Sequence, residues 1–300
     1  MTTKLLVDSL MATVQVGSMY ALMAIGLTLT FAVTRLPNFA HAELISVGAY
    51  AALVFSLLWS ANLPLLAAVA FVVAAFVALL CHRAVYRPLS RRKPPIHVLI
   101  LATFAVGLIL RYVLFLLVDR FDLFDLRIQT EQIILFQNDY VTITNIFAWV
   151  VPTSIVLVLA LSLLLTRTSL GRQMRALADN ATLARVVAVP VNRVHDLTWV
   201  LAGGLAGVGG ALWGLSTFVN PLTGWLAILS VFAATVLGGM TSFAGTILGA
   251  YLVAFSENTI MQALNAWLGV PFSVKPAIPF LIIMLVLLIR PQGFTAGGDA

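Results

Sequence analysis

Charged residues are scarce in this sequence of 300 residues, in which Asp, Glu, Lys and Arg together make up only 9%. A soluble domain carries about 25%. Hydrophobic residues make up 61%, and the mean hydropathy is +1.05. The core of a soluble domain of this size cannot hide so much apolar surface from water, whereas lipid accepts it when the backbone forms spanning helices. The composition excludes a soluble globular protein and predicts an all-α, polytopic integral membrane helix bundle.

The sequence also lacks the residue patterns of common enzyme classes. Its one cysteine, Cys81, excludes an intrachain disulfide. There is no Walker A pattern, no His-Glu-x-x-His and no Gly-x-Ser-x-Gly. We therefore expect no catalytic residue, no metal site and no cofactor, and the chain has no visible means of binding ATP itself. The function classes that remain are transport, a channel or a passive scaffold.

Nine apolar stretches approach the length of about 20 residues that a transmembrane helix needs. They cover residues 10–33, 43–60, 64–82, 96–118, 146–166, 197–218, 226–240, 245–262 and 277–289. The two stretches that flank Gly238-Gly239 are short, so eight to ten spans are compatible with the sequence. We place residues 1–300 in a single transmembrane domain.

The cations are concentrated in two segments, and the acids lie between them. Residues 83–93 contain five cations and no acid, and residues 167–196 contain five arginines and two aspartates. Residues 119–145 carry five acids against two arginines. Because short cytoplasmic loops are enriched in Lys and Arg, we expect both basic segments in the cytoplasm and 119–145 in the periplasm. This orientation puts the N-terminus in the periplasm and the C-terminus in the cytoplasm, and it explains the net charge of +6 without nucleic acid.

The second basic segment contains an amphipathic helix between Ser169, a plausible N-cap, and Pro190, which stops it. One apolar stripe recurs at helical spacing: Leu170, Met174, Leu177, Ala181, Ala184 and Ala188. A small, alanine-rich stripe suits docking into a groove of a partner protein. A helix that rests on the membrane surface gives the same pattern, so both interpretations stay open from the residues alone.

Polar residues at membrane depth are costly and indicate functional sites. The candidates for a translocation path or gate are Asn38, His41, Glu43, Arg111 and Glu257. Arg111 either pairs inside the bundle or extends to the outer face, and Glu257 either lines the solute path or reaches the interface. The three residues near the second span form either a polar helix start, in which Glu43 stabilises the first turn, or a cytoplasmic gate.

Several motifs resemble those of ABC-importer permeases for branched-chain amino acids. The cytoplasmic coupling segment of such permeases resembles Gly171, Arg175-Ala176, Asp179-Asn180, Ala184 and Val189-Pro190. The first two helices of the family look like Gly26-Leu-Thr-Leu-Thr, Asn38-Phe-Ala-His-Ala-Glu43 and Gly48-Ala-Tyr50. The family's late motifs are similar to Val236-Leu-Gly-Gly-Met240, Ala244-Gly-Thr-Ile-Leu-Gly249 and Arg290-Pro-Gln-Gly293. The matches keep the family's order, with small departures at Ala42, where Gly is usual, and at Phe294, where Leu is usual.

The resemblance is closest to the H-type subunit, and it implies an import permease driven by partner ATPases in the bacterial inner membrane. The implied partners are a second permease of similar fold, two ABC ATPase subunits and a periplasmic substrate-binding protein. The implied coupling residues are Gly171, Arg175, Ala176, Asp179, Asn180, Ala184 and Pro190. Urea or a short amide is the alternative solute, because related permeases carry those. An ion-coupled secondary transporter is the alternative class, and it would need a buried relay of ionisable residues.

Overall fold

A computed structural model describes residues 3–59, 62–130, 133–139 and 141–289 of the chain. In these residues, six helices are long and apolar enough to cross a membrane. They are α1 (Thr3–Thr34), α2 (His41–Leu58), α3 (Leu63–Cys81, with its extension to Arg91), α5 (Ile96–Arg120), α6 (Asn145–Arg167) and α9 (Val191–Ser216). The extension of α3 is a π-helical turn, His82–Tyr86, followed by α4 (Arg87–Arg91).

The last third of the described chain forms shorter helices. These are α10 (Thr223–Gly238), α11 (Phe243–Phe255), a π-helical turn (Ser256–Ile260), α12 (Met261–Leu268) and α13 (Ala277–Ile289). The predicted stretches 226–240 and 277–289 overlap α10 and α13, and 245–262 covers most of α11, the π-helical turn and the start of α12. Because α10 has 16 residues and α13 has 13, less than the usual spanning length, the number of nine spans stays a prediction. The Arg290-Pro-Gln-Gly293 motif lies outside the described residues.

The segment 119–145 departs from the all-α prediction. It contains a β-hairpin in which β1 (Ile134–Gln137) pairs antiparallel with β2 (Thr142–Thr144). An isolated bridge also joins Leu126 to Val219. β1 contains Ile134 and Phe136, and β2 consists of Thr-Ile-Thr, so both strands carry β-branched or aromatic residues, which favour extended backbone. The hairpin is a local exception in a chain that is otherwise mostly helical.

Two helices form the centre of the bundle, and they are enclosed by the others. Most residues of α1 from Gly17 onward are buried, and α9 is buried along a run of small residues. A Cβ on Gly48 of α2 would collide with the backbone of Gly207 in α9, and one on Gly210 would collide with the carbonyl oxygen of Ile45. Glycine at these positions lets the backbones approach closely, which is how helices associate in lipid. The outward faces of α3, α5, α6 and α13 carry many exposed aliphatic side chains.

The two ends of the bundle differ in charge. We call the end that carries 83–93 and 167–196 the basic end, and the end that carries 119–145 the acidic end. A hydrogen bond of 2.7 Å from Nη2 of Arg35, the residue that follows α1, to the carbonyl oxygen of Ala178 places the end of α1 at the basic end. The Leu126–Val219 bridge places the end of α9 at the acidic end.

Candidate functional site

The chain turns back into the bundle after α1, so α2 begins inside the protein. His41 Nε2 lies 2.8 Å from the carbonyl oxygen of Met23, which precedes the end of α1 by 11 residues, or about 16 Å of helix. The six residues 35–40 lie outside the helices, and a chain of that length covers at most about 20 Å even when it is fully extended. The sequence placed Asn38, His41 and Glu43 at an inner turn. They lie instead well within the bundle, because 35–40 is a re-entrant segment.

The first turn of α2 contains one half of a buried ion pair. Arg111 Nε and Nη2 both donate to Glu43 Oε1, at 3.0 Å and 2.6 Å. The side chains are 12% and 1% exposed. Arg111 follows Ile96 by 15 residues, so the pair lies about 22 Å along α5 from its beginning. Of the two alternatives for Arg111, pairing inside the bundle is the one that the structure contains.

Four side-chain polar atoms on residues 38–43 are buried and have no hydrogen-bond partner among the described residues. They are the amide oxygen and nitrogen of Asn38, Nδ1 of His41 and Oε2 of Glu43. These three side chains are 1% exposed or less. A buried polar atom without a partner costs about 1–3 kcal/mol, and most buried polar atoms in proteins are therefore paired. The four atoms therefore have hydrogen-bonding capacity that the described residues do not use.

A row of aromatic rings continues from the ion pair along the same side of the bundle. The Arg111 guanidinium lies over the Trp225 ring, with Cζ 4.1 Å from the ring centroid. Phe104 contacts Trp225 edge-on, Phe39 contacts Phe104 edge-on, and Phe39 stacks on Phe232 at 5.1 Å. Phe104 and Trp225 remain about 40% exposed. We call Phe39, Phe104, Trp225 and Phe232 the aromatic row.

Sequence reasoning missed the aromatic row, although one signal was present. Trp225 and Phe232 are seven residues apart, which places both side chains on one face of α10. Their proximity to Phe39 and Phe104 depends on how α2, α5 and α10 pack, and no local pattern encodes that.

The start of α10 is held by a residue of α2. Ser46 Oγ accepts a hydrogen bond from the Gly224 N–H at 2.9 Å and donates to the Pro221 carbonyl oxygen at 3.2 Å. A Cβ on Gly224 would collide with the carbonyl oxygen of Ala42. Although Ser46 belongs to α2, it pairs a backbone N–H in the first turn of α10, as an N-cap residue does. This contact holds Trp225 beside the ion pair.

Glu257 lies at a different place, and the interpretation that it reaches the interface is wrong. Its side chain accepts hydrogen bonds from the Tyr20 hydroxyl at 2.9 Å and from Ser230 Oγ at 2.5 Å, and the residue is 3% exposed. Ser230 is roughly 140–160° around α10 from Trp225 and Phe232. The structure therefore does not bring Glu257 together with the Glu43–Arg111 pair.

The predicted coupling helix is two helices. They are α7 (Ser169–Asp179) and α8 (Ala181–Val186), which we call the elbow. Thr168, not Ser169, is the N-cap of α7, because its hydroxyl accepts from the Gly171 N–H at 3.2 Å. The helix breaks at Asn180, whose Oδ1 accepts from the N–H groups of Thr182 and Leu183, both at 3.0 Å. A single helix from 169 to 190 is therefore wrong, since Asn180 is the N-cap of a second one.

The inner face of the elbow packs against the protein itself. Met174, Leu177 and Ala184 are 3%, 2% and 2% exposed. Arg175 Nη1 donates to the carbonyl oxygen of Leu165, near the end of α6, where helix carbonyls lack intrahelical partners. A Cβ on Gly171 would collide with the same carbonyl group. The stripe, for which docking and membrane-surface interpretations were both open, is therefore only partly buried: Met174, Leu177 and Ala184 pack inside the protein, whereas Ala181 and Ala188 are exposed. Gly171, Arg175 and Ala184 hold the elbow in place.

The outer face of the elbow carries a different apolar set. Leu183, Val186 and Val187 are 60%, 77% and 65% exposed. Asp179 and Asn180 lie beside them and are exposed, Ala176 is half-buried, and Pro190 is exposed immediately before α9. Sequence reasoning missed this set. It followed only the apolar stripe through Met174 and Ala184, and Leu183, Val186 and Val187 are not part of that stripe.

An apolar bundle with a buried ion pair at depth and a helical elbow at its basic end has the architecture of a multi-pass membrane transport protein. Comparison with known proteins identifies the family. The chain belongs to the family of permease components of the branched-chain amino acid transport system, because the sequence profile of that family matches residues 9–289.

Individual relatives agree with the family. A probable branched-chain amino acid transport permease protein LivH from Methanocaldococcus jannaschii is 35% identical over 286 residues, which cover 93% of this chain and 89% of the relative. The high-affinity branched-chain amino acid transport system permease protein LivH of Escherichia coli (strain K12) is 28% identical, with 93% and 92% covered. Among solved structures, PsaBC from Streptococcus pneumoniae in complex with Fab matches with a TM-score of 0.50 and 14% identity, over 95% of this chain and 92% of that one. The last likeness concerns the fold alone.

Proposed function

We propose that this chain is the translocation subunit of an ABC importer that carries branched-chain amino acids across the bacterial inner membrane. The observation that carries the proposal is the pairing of two surfaces in one membrane bundle. One is the ion pair with the aromatic row, which offers a zwitterion both charges and an apolar wall. The other is the outer face of the elbow, which offers a partner protein an exposed apolar surface at the basic end.

The proposed orientation puts the basic end in the cytoplasm. Both basic segments then follow the positive-inside rule, and the N-terminus faces the periplasm while the C-terminus faces the cytoplasm. A periplasmic substrate-binding protein would deliver the solute at the acidic end. A second permease of similar fold would complete the path, and two ABC ATPase subunits would bind from the cytoplasm and hydrolyse ATP, for which this sequence has no Walker A motif.

Coupling to the ATPases depends, in this proposal, on the rigidity of the elbow. The inner face is buried, Arg175 is bonded to Leu165, and Arg35 is bonded to Ala178. A displacement of the elbow would therefore move the ends of α1 and α6 with it. Leu183, Val186 and Val187 are the contact residues that we propose for an ATPase groove, which an apolar helix face fits.

The coupling proposal is tested by placing a charge on the outer face. Val186→Glu puts a carboxylate where a partner would cover it, and an unpaired buried charge costs several kcal/mol. At about 1.4 kcal/mol for each tenfold change, we expect ATPase association to fall by a hundredfold or more. The measurement is co-purification of the ATPases through a tag on this chain, together with solute-stimulated ATP hydrolysis.

Ser90→Glu is the matched control. Ser90 is exposed on α4, so this variant adds the same charge at the basic end but on a helix outside the elbow, and it should retain the ATPases. Both variants must reach the membrane in equal amounts. ATPases that remain bound to Val186→Glu, with normal hydrolysis, would show that the outer face is not the docking surface.

A further inference from the structure

We propose that Asn38, Glu43, Arg111 and the aromatic row form a binding site for a zwitterionic α-amino acid with an apolar side chain. This inference rests on the proposed function and names the chemistry by which the path would recognise its solute. The site lies at the point where α2 begins inside the bundle.

The acceptor side of the site is the free half of the Glu43 carboxylate. Oε1 takes both hydrogen bonds from Arg111, while Oε2 is buried and has no partner among the described residues. An ammonium group has three donors and no acceptor, so it matches a carboxylate oxygen that lacks a donor. The Asn38 amide oxygen, also buried and without a partner among the described residues, is a second acceptor on the re-entrant segment that leads into α2.

The donor side of the site is the Arg111 guanidinium. It carries five N–H donors in a planar fork, and two of them go to Glu43. The remaining donors match the carboxylate of an amino acid, which guanidinium groups bind in a planar, bidentate manner. Because the Trp225 ring covers one face of the guanidinium at 4.1 Å, the free donors lie in the plane of the fork beside the aromatic row.

The aromatic row supplies the apolar wall. Phe104 and Trp225 are about 40% exposed, so their rings have surface that an aliphatic side chain would cover. A solute site is usually apolar with a few convergent polar groups, and this arrangement has that composition. The ordinary structural role, in which the ion pair only joins α2 to α5, explains the pair itself but leaves the unpartnered atoms of Glu43 and Asn38 unexplained.

The zwitterion requirement is tested by protection of a cysteine from alkylation. In the assembled complex, with Cys81→Ala, the variant Phe104→Cys places a thiol on the aromatic row. N-ethylmaleimide labelling is followed without solute and with leucine, 4-methylpentanoate or isoamylamine at equal concentrations. The last two lack the ammonium and the carboxylate respectively. We expect leucine to slow labelling at least fivefold and each analogue with one charge to slow it less than twofold.

A neutral pair then locates the two charges. Glu43→Gln with Arg111→Gln replaces the ion pair by two amides and leaves no unpaired charge, and we expect leucine protection to be lost. Arg127→Gln is the matched control, since Arg127 also lies over an aromatic ring, with its Cζ 4.2 Å from the centroid of Phe218, but belongs to the segment 119–145. Protection in this control should equal that of the parent.

The outcomes separate this inference from the proposed function, because leucine uptake by the parent complex is measured in parallel. Equal protection by leucine and both analogues, or no protection by leucine, overturns the zwitterion site whether or not uptake occurs. Absence of ATP-driven leucine uptake, with zwitterion-dependent protection intact, contradicts the transport proposal and leaves the site standing. The solute comparison uses the parent background, so it is decisive even when the neutral pair does not fold.

Discussion

Removing Arg111 alone should destabilise the protein more than removing both members of its ion pair. Arg111→Gln leaves Glu43, which is 1% exposed, as a buried carboxylate without its cation. Breaking a buried pair in this way costs about 3–5 kcal/mol, whereas replacing both charges by neutral groups is often close to neutral. The lost contact of the guanidinium with Trp225 adds about 0.5–2 kcal/mol to either variant.

The magnitude translates into a measurable difference in thermal stability. One kcal/mol shifts the midpoint of unfolding by about 2–4 °C for chains of 150–250 residues, so Arg111→Gln should lower it by about 6 °C or more. Glu43→Gln with Arg111→Gln should recover at least half of that loss. The assay is thermal unfolding of the detergent-solubilised complex, followed by the loss of the monodisperse peak in size-exclusion chromatography.

Two results would refute this account of the pair. A shift below about 2 °C for Arg111→Gln would mean that Glu43 finds another partner or reaches water. A double variant as unstable as the single one would mean that the stability comes from the shape of the two side chains and not from their charges.

The remaining predictions concern the cap of α10, the elbow and the orientation. Ser46→Ala should destabilise the protein by about 1–2 kcal/mol, because the Gly224 N–H and the Pro221 carbonyl oxygen lose their partner. Thermal unfolding measures this loss, and Ser46→Thr should restore part of it. Asn180→Ala should cost about 1 kcal/mol locally by removing the N-cap of α8, and it should weaken ATPase co-purification several-fold without changing the amount of chain in the membrane; unchanged co-purification would argue against a preformed α8. In a Cys81→Ala background, a cysteine at Asp125 should react with an impermeant thiol reagent from the periplasm and one at Arg91 should not, and the reverse pattern would overturn the orientation.

Composition alone predicted that this is a membrane protein, because an apolar composition determines whether a chain can fold in water or in lipid. A chain with 9% charged residues has to place its apolar surface in lipid, and in lipid the backbone has to be helical across the span. The positions of α1, α2, α5, α6 and α9 follow from length and hydropathy in the same way. The hairpin at 134–144 was missed, because four- and three-residue strands leave no periodic signal in an apolar sequence.

The candidate site was predicted only in part, because the sequence does not show how deep in the bundle α2 begins. Each of Asn38, His41, Glu43 and Arg111 was noticed as a polar residue in apolar surroundings. The pairing of Glu43 with Arg111 depends on the re-entrant segment 35–40, which starts α2 about 16 Å inside the bundle. Nothing in the local pattern states how far a loop turns back, so Glu43 was placed at the membrane edge and its pairing with Arg111 stayed one of two alternatives.

The elbow shows a different limit of sequence reasoning. The stripe through Met174, Leu177 and Ala184 was found correctly as an apolar face, but a stripe does not state what covers it. In the structure the bundle covers it, and the break at Asn180 turns Leu183 and Val186 outward. Asn is a common N-cap residue, so Asn180 was a signal in the sequence for the start of a second helix. Using that signal would have divided the segment correctly.

The most direct test of the central proposal is uptake of labelled leucine by proteoliposomes that contain the whole complex, purified through a tag on this chain together with its binding protein. We predict uptake that requires ATP inside the vesicles, that survives collapse of the proton gradient, and that is lost with Val186→Glu. Leucine uptake by this chain alone, driven by a proton or sodium gradient without ATP, would contradict the account and move the protein to the class of secondary transporters.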